Sequence, residues 1–415
     1  MKKNKILLSL TALVLIVATL ASCSAITLRV RATELSAGYT RKTVDDPALS
    51  ESMNGITGSM TDVSLAMFRN NVTNDGQNKL ISPLSAVLCL AMIANGADGN
   101  TRSQIEHALG MSIDQLNRCL LLYSSSLDKT DITLEIANSA WIRSSFAKNV
   151  KESFLQANAD WYGAQIYSAD FDSSTVRDIN SWVKNNTNGL IDSIIDQVPD
   201  NAVMYLINTL LFEAKWQMPY EKDDIRDGRF NCYNGSTTDV KMMCSEENVY
   251  MSSDGAQAFA RNYRGGKYSF VGILPDKDTD IYSYIASLDG DAWRALWDSR
   301  GTSRVEVSIP EFECEDSIDL TQLLRSLGIT DMFGANADFS RITDAELYCG
   351  SMCQKVKIEV DRNGTKAAAI SWSTNSTSAE KVEEPKIIAL DRPFVYAVVD
   401  NSTGLPLFIG TVINR

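Results

Sequence analysis

Asp361-Arg362-Asn363-Gly364-Thr365-Lys366-Ala367-Ala368-Ala369-Ile370-Ser371-Trp372-Ser373-Thr374-Asn375-Ser376-Thr377-Ser378-Ala379-Glu380-Lys381-Val382-Glu383-Glu384-Pro385 separates a strand-like run, Lys355 to Val360, from a second strand beginning at Arg392. A segment this long without structure of its own is usually functional or disordered. Its Ser/Thr content alone would suit a linker. Strand geometry weighs against that reading. Counted from Thr365, alternate side chains place Ala367, Ala369, Ser371, Ser373 and Asn375 on one face, all small and uncharged. The other face takes Lys366, Ala368, Ile370, Trp372 and Thr374, with the only charge and the only large ring. A linker has no reason to sort its residues in this way, so the segment reads as a strand held outside a sheet.

Working outward, Leu80 to Gly96 predicts a helix with Ser82 as its cap, Pro83 in the first helical position and Gly96 as its stop. It is apolar on nearly every side, which places it in the middle of a large core. Met204 to Phe212 is a near-continuous apolar run, as expected of a strand covered on both faces, and the Asn208 amide inside it needs a buried partner. Further strands are expected at Tyr268–Leu274, Val305–Ile309, Phe394–Val399 and Leu407–Ile413, and helices at Val176–Asn186, Ile281–Trp297 and Leu320–Leu327. Strands and helices intermix without βαβ alternation or repeats, which favours several sheets in one large unit.

The 415 residues carry 39 basic and 52 acidic side chains, a net charge of −13. That balance argues against nucleic-acid binding, which wants a basic face. One histidine, His107, leaves little room for a catalytic triad or Cys-His pair, and nothing around it suggests a proton relay. Arg264-Gly265-Gly266-Lys267 lacks the spacing and hydroxyl residue of a phosphate loop and reads as a turn. Carboxylates are plentiful enough for a paired Asp/Glu hydrolase by count, but no spacing singles out a pair, and no cofactor is expected. Cys89, Cys119, Cys232, Cys244, Cys314, Cys349 and Cys353 are scattered and lack paired ligand spacing, so buried free thiols are expected rather than a zinc site.

Lys2, Lys3 and Lys5 followed by the apolar run Ile6 to Leu20 have the form of a secretory signal. The run ends in Leu20-Ala21-Ser22-Cys23, which resembles the lipobox of bacterial lipoproteins. Residues 1–22 are thus expected to be a signal peptide, 23–55 a polar tether lipidated at Cys23, and 56–415 the folded domain. The expected location is the outer face of a bacterial cell membrane, or the extracellular space.

Over about Gly55 to Arg415 the chain resembles the serpins, the large family of serine protease inhibitors. The resemblance rests on separated motifs in order: Asn78-Lys79-Leu80-Ile81-Ser82-Pro83-Leu84-Ser85 with Gly96-Ala97-Asp98-Gly99-Asn100-Thr101, then Ala137-Asn138-Ser139-Ala140-Trp141-Ile142. They continue with Ile179-Asn180-Ser181-Trp182-Val183 and Thr187-Asn188-Gly189, with Asn208 and Lys215-Trp216, and with Arg392-Pro393-Phe394 and Leu407-Phe408-Ile409-Gly410. It implies a mixed α and β serpin fold, with three β-sheets, eight or nine helices and an exposed reactive-centre loop, here about 364–385.

The resemblance also implies suicide inhibition. A target serine protease attacks the loop as a substrate, and the hinge half then inserts as a new strand before the acyl-enzyme hydrolyses. Gly364, Thr365, Ala367, Ala368 and Ala369 are the hinge, and Ser82, Ser85, Asn208, Trp216 and Gln354 line the region where the sheet parts. About 14 residues at ~3.3 Å each would make roughly 46 Å of new strand. The expected species is a monomer forming a covalent acyl complex with its protease. Three departures stand out: Arg362 replaces a frequent Glu, Gln354 replaces a frequent histidine and cannot titrate, and the loop is about four residues longer than in familiar relatives. Counting from Gly364 puts the scissile bond at Ser378-Ala379, whereas counting back from Pro393 puts it near Val382-Glu383. Both suit elastase-like enzymes, the first also subtilisin-like ones, while Lys381 would suit a trypsin-like enzyme. Ser378 is favoured. A non-inhibitory carrier or surface binding protein is the alternative, and a transporter's solute-binding lipoprotein fits the motifs poorly.

Overall fold

The computed structural model describes residues 29–43, 47–127, 129–198, 202–350, 352–365 and 385–415. The signal sequence, Cys23, Ala367, Ala368, Ala369, Ser378, Ala379, Lys381 and Val382 lie outside the described residues. Ten α-helices occur among the described residues: α1 (Pro47–Asn71), α2 (Pro83–Ala94), α3 (Gly99–Leu109), α4 (Ile113–Ser126), α5 (Ser144–Ala147), α6 (Glu152–Tyr162), α7 (Ser173–Asn186), α8 (Ile281–Ser287), α9 (Gly290–Asp298) and α10 (Leu320–Ser326). The strands begin with β1 (Thr33–Glu34), β2 (Leu80–Ile81), β3 (Ile132–Arg143), β4 (Gln165–Ala169), β5 (Met204–Lys215), β6 (Ile225–Asn231), β7 (Thr237–Ser253) and β8 (Ala256–Asn262). They continue with β9 (Tyr268–Pro275), β10 (Gly301–Pro310), β11 (Phe312–Asp319), β12 (Cys353–Asp361), β13 (Gly364–Thr365), β14 (Lys386–Ala389), β15 (Phe394–Asp400) and β16 (Pro406–Val412).

The main sheet runs β1-β4-β3-β5-β13-β12-β11. The other strands form one hydrogen-bonded path, β14-β10-β7-β8-β9-β15-β16-β2, with β6 beside β7. The long strand β7 joins two halves of this path. Its Thr237–Met243 stretch pairs with β6, and Val249–Ser253 pairs with β8. The three sheets therefore appear as the main sheet and two halves sharing β7. Helix α2 is buried along its whole length, as its all-apolar surface demands, with Pro83 in its first turn. A second, smaller apolar cluster lies between α7 and the other face of the main sheet, where Trp141 stacks on Tyr167 at 4.4 Å among Ile179, Trp182, Ile191 and Ile207.

Three sequence expectations are revised. The helix expected over Ile281–Trp297 is two helices, because Asp289 accepts the Ala292 amide as a second N-cap and restarts the turn at Gly290. Strand β14 precedes the one anticipated at Arg392, and the latter begins only at Phe394. Four residues on a sheet edge, with Ile387 71% exposed, leave too little pattern to read. Ser82 occupies the N-cap position of α2, but its side chain caps no helical amide.

The stretch read as a tether is partly docked. Thr33 and Glu34 pair with Ser168 and Tyr167 on the outer edge of the main sheet. The buried carboxylate of Asp178 on α7 accepts the amides of Arg31 (3.1 Å) and Ala32 (2.9 Å). Lys42 reaches Asp160 at 2.9 Å and lies over the Trp161 ring.

Candidate functional site

The site is built where the main sheet is incomplete. β5 pairs with β3 along its length and β12 with β11, but no register pair joins β5 directly to β12 among the described residues. Only β13 lies between them: Gly364 faces Lys215 and Asp361, and Thr365 faces Ala214 and Val360. Gly364 and Thr365 therefore form the one described rung between β5 and β12, below which no strand is described.

A tight turn delivers them there. The Asp361 carboxylate accepts the amides of Asn363 (2.7 Å) and Gly364 (3.2 Å), and the Asn363 side-chain amide donates back to it at 3.0 Å. Such an Asx turn reverses the chain without needing a longer loop. Gly364 has φ +145°, and a Cβ there would stand 2.1 Å from the Ala214 carbonyl oxygen, so no other residue fits this backbone. Thr365 is 2% exposed, and its hydroxyl shares a 2.8 Å hydrogen bond with the Tyr263 hydroxyl.

Trp216 and Tyr220 hold this turn from the main-chain side. The Trp216 indole donates to the Asp361 carbonyl at 2.8 Å and its amide to the Asn363 carbonyl at 3.2 Å. The Tyr220 amide donates to the Arg362 carbonyl at 3.3 Å. Trp216 stacks flat on Tyr263 at 4.8 Å, which ties the aromatic layer to Thr365. Burial pushes the Tyr220 phenol up to about 12 and raises that of Tyr263 further, the neighbouring Arg261 opposing both, so the two stay neutral donors. Arg362 pairs with Glu311 at 3.0 Å between β10 and β11, so the departure from the family's frequent Glu has a partner of opposite charge.

Lower in the slot lies a polar set of buried Ser82, Ser85 and Gln354 with half-buried Asn208. Gln354 accepts the Ser82 amide at 3.1 Å and donates to the Ser82 carbonyl at 2.9 Å, while the Ser82 hydroxyl donates to Leu407 of β16. The Ser85 hydroxyl donates to the Asn208 side-chain oxygen, and the Asn208 amide donates to Asn138 at 2.7 Å. Asn138 in turn donates to the Tyr162 carbonyl at the end of α6. The amide of Asn208 has the buried partner its position demands. Sequence reasoning did not single out Asn138, Tyr220, Tyr263, Glu311 or Asp361. Asp-x-Asn-Gly is a turn signal that could have found the last.

His107 lies exposed on α3, away from these groups. Among the described residues no group of three or more His, Cys, Asp or Glu could hold a metal ion, and Cys119, Cys232, Cys244 and Cys314 are free thiols. No helix among them is long and apolar enough to cross a membrane.

Comparison with known proteins accords with this architecture. The family model described as Serpin (serine protease inhibitor) matches residues 58–415. The chain is 28% identical over 378 residues to neuroserpin of Homo sapiens, covering 86% of this chain and 91% of that one. It is 30% identical over 383 residues to Serpin-ZX of Arabidopsis thaliana, covering 85% and 96%. The thermophilic serpin tengpin in its native state is similar at 39% identity with a TM-score of 0.83, covering 92% of this chain and all of that one. Its latent state matches at a TM-score of 0.77. Serpins generally act on target proteases as suicide inhibitors rather than as enzymes. With the family model matching residues 58–415 and the native-state fold of a thermophilic serpin reproduced over 92% of the chain, this chain belongs to the serpin family.

Proposed function

We propose that the protein is an inhibitory serpin of elastase-like or subtilisin-like serine proteases, cut at Ser378-Ala379, exported and held at the outer face of a bacterial membrane by lipid on Cys23. The observation that carries this reading is β13: Gly364 and Thr365 already pair on both sides between β5 and β12. Continued downward, the same register would set Ala367 between Phe212 and Ile358, and Ala369 between Leu210 and Val356, on the face of Thr365, Ala214 and Val360. Small side chains suit that face, because Phe212, Ile358 and Val356 are buried there and larger ones would overpack it. Ser371 would arrive between Asn208 and Gln354, whose amides can bond a hydroxyl. On the outer face, Lys366 would stand between Glu213 and Glu359, a favourable cross-strand arrangement.

Insertion after cleavage would drag an acylated protease the length of the sheet and distort its active site before water completes the reaction. The test is incubation with pancreatic-type elastase and with subtilisin. The expected result is a complex that survives denaturing gels, a loop cut after Ser378 by mass spectrometry, and a nicked protein that melts well above the intact one. Clean cleavage without complex across a broad serine-protease panel overturns the inhibitory reading. For the anchor, Cys23→Ser is expected to release the protein from membrane to medium, and unchanged fractionation overturns it.

A further inference from the structure

One buried ion pair touches both residues that grip the turn at Asp361–Gly364. Arg261 on β8 is 4% exposed, and its guanidinium donates to the Glu247 carboxylate on β7 and to the Met218 carbonyl. The Glu247 side chain is 12% exposed and also accepts the Ser245 hydroxyl at 2.7 Å, while Ser245 shares a hydrogen bond with the Tyr220 hydroxyl at 3.2 Å. The Arg261 guanidinium lies 4.1 Å from the Tyr220 ring centroid and 5.1 Å from that of Trp216. One side chain thus fixes the start, middle and end of the segment Trp216–Tyr220.

That segment is what holds the turn. Its amides at positions 216 and 220 and the Trp216 indole take the carbonyls of Asn363, Arg362 and Asp361. We infer that Arg261, charge-balanced by Glu247, is a positioning residue for strand insertion: it presets Trp216 and Tyr220 so that Gly364 and Thr365 stand as a formed seed of the new strand before any cleavage. Formation of the first pairs fixes several dihedrals for few bonds, so a seed already in place removes the slowest part of ordering. Insertion then only has to propagate, which favours it in the race with acyl-enzyme hydrolysis. This inference rests on the inhibitory reading for its consequence, but the seed itself is testable without it.

Arginine is specifically required. A guanidinium can bond a carboxylate and a carbonyl while stacking on two rings, whereas an ammonium is a point charge without a planar face. Arg261→Lys keeps the charge and the pair with Glu247 but loses the stacked, two-armed contact. The double variant Arg261→Met with Glu247→Gln removes both charges, so neither is left buried alone.

The experiment is amide hydrogen exchange of the intact protein, followed by mass spectrometry of a peptide spanning 361–365. In both variants this peptide is expected to exchange at least tenfold faster than in the parent, with β9 and β15 unchanged as the sign of an intact core. Exchange within twofold of the parent in Arg261→Lys, the variant that retains the buried pair, overturns the inference whether or not the double variant folds. Against a protease that the parent traps, the fraction of variant cut without complex is expected to rise at least threefold. Faster hinge exchange with unchanged partition overturns the link between seed and trapping. If the parent traps no protease, the inhibitory reading fails while the exchange result still decides the role of Arg261.

Discussion

Replacing Thr365 by arginine tests the slot at its entrance. Thr365 is 2% exposed between Ala214 and Val360, themselves 2% and 1% exposed, and its one polar contact is Tyr263. An arginine there must either stay out of the sheet or bury a cation without an anion facing it. The effective cost of burying an unpaired charge after relaxation is several kcal/mol, and the lost hydroxyl bond adds about 1 kcal/mol. Taking about 4 kcal/mol on the insertion barrier, the step slows by roughly a thousandfold, since about 1.4 kcal/mol is a factor of ten. If the parent inserts about ten times faster than its acyl-enzyme hydrolyses, the variant would insert about a hundred times slower than that hydrolysis. Complex yield would fall from about nine-tenths to about one-hundredth, and the variant would be consumed as substrate. Thr365→Ser is the control, because it keeps the hydroxyl and loses one buried methyl, worth about 0.8 kcal/mol. The assay is residual protease activity titrated against inhibitor, with denaturing gels to separate complex from nicked chain. A yield for Thr365→Arg within twofold of the parent refutes the argument that this residue must enter a tight, uncharged slot.

Other perturbations probe the surrounding contacts. Gln354→His should install a pH dependence that the parent lacks: a neutral imidazole can still accept from and donate to Ser82, but a protonated one cannot accept. Its stabilising contribution would be complete above about pH 6.5 and erode below it, seen as a melting temperature that falls between pH 7 and pH 5 in the variant alone. Arg362→Glu sets like charges beside Glu311, and because the pair is partly exposed the loss should be under about 1 kcal/mol, restored by Glu311→Arg and measured by denaturant unfolding of the single and double variants. Asp178→Asn weakens the hold on the Arg31 and Ala32 amides. Charge-assisted bonds to main chain are worth about 1.5–3 kcal/mol, so limited proteolysis within residues 29–43 should accelerate markedly while cleavage elsewhere does not.

Features that depend on side-chain pattern were legible in the sequence, and those that depend on main chain or on single distant pairs were not. Helix α2 and strand β5 are read directly because their apolar runs leave one burial solution. Gly364 and Thr365 are legible because the small-residue alternation after them makes sense only as a strand. The docking of residues 29–43 leaves little trace, since it rests on one short strand pair and on amides offered to Asp178 rather than on a repeating apolar face. Likewise Arg261 and Glu247 are two charges among many, 14 residues apart, and only the pairing of β7 with β8 brings them together. The split of α8 from α9 was present in Asp289-Gly290, but the continuous apolar period on either side masked it.

Why a cut should be needed at all follows from chain length. In the register set by Thr365 opposite Ala214, a strand running down to Met204 would end at Asn375. That descent is ten residues, or about 33 Å. In an uncut chain the nine residues 376–384 must then return to Pro385 and β14. β14 pairs with β10 from Val305 to Ser308, and β10 leads through Glu311 into Phe312, which faces Val360 at the hinge end of the main sheet. From Asn375 back to Pro385 the chain has ten residue steps, at most about 36 Å fully extended, so the descent alone uses nearly all of it and leaves almost nothing for the lateral distance. Intact insertion therefore requires β14 to leave β10, whereas cleavage at Ser378 removes the constraint. Cysteines replacing Glu306 and Ile387, a directly opposed and exposed pair, should staple the two strands. The oxidised staple is expected to block heat-driven insertion of the intact chain and to leave thermal hardening after loop cleavage unchanged, with the reduced protein as control. Equal rates of heat-driven insertion in the oxidised and reduced proteins, followed as acquired resistance to melting, would show that the return path is not limiting and that some other contact keeps the uncut loop outside.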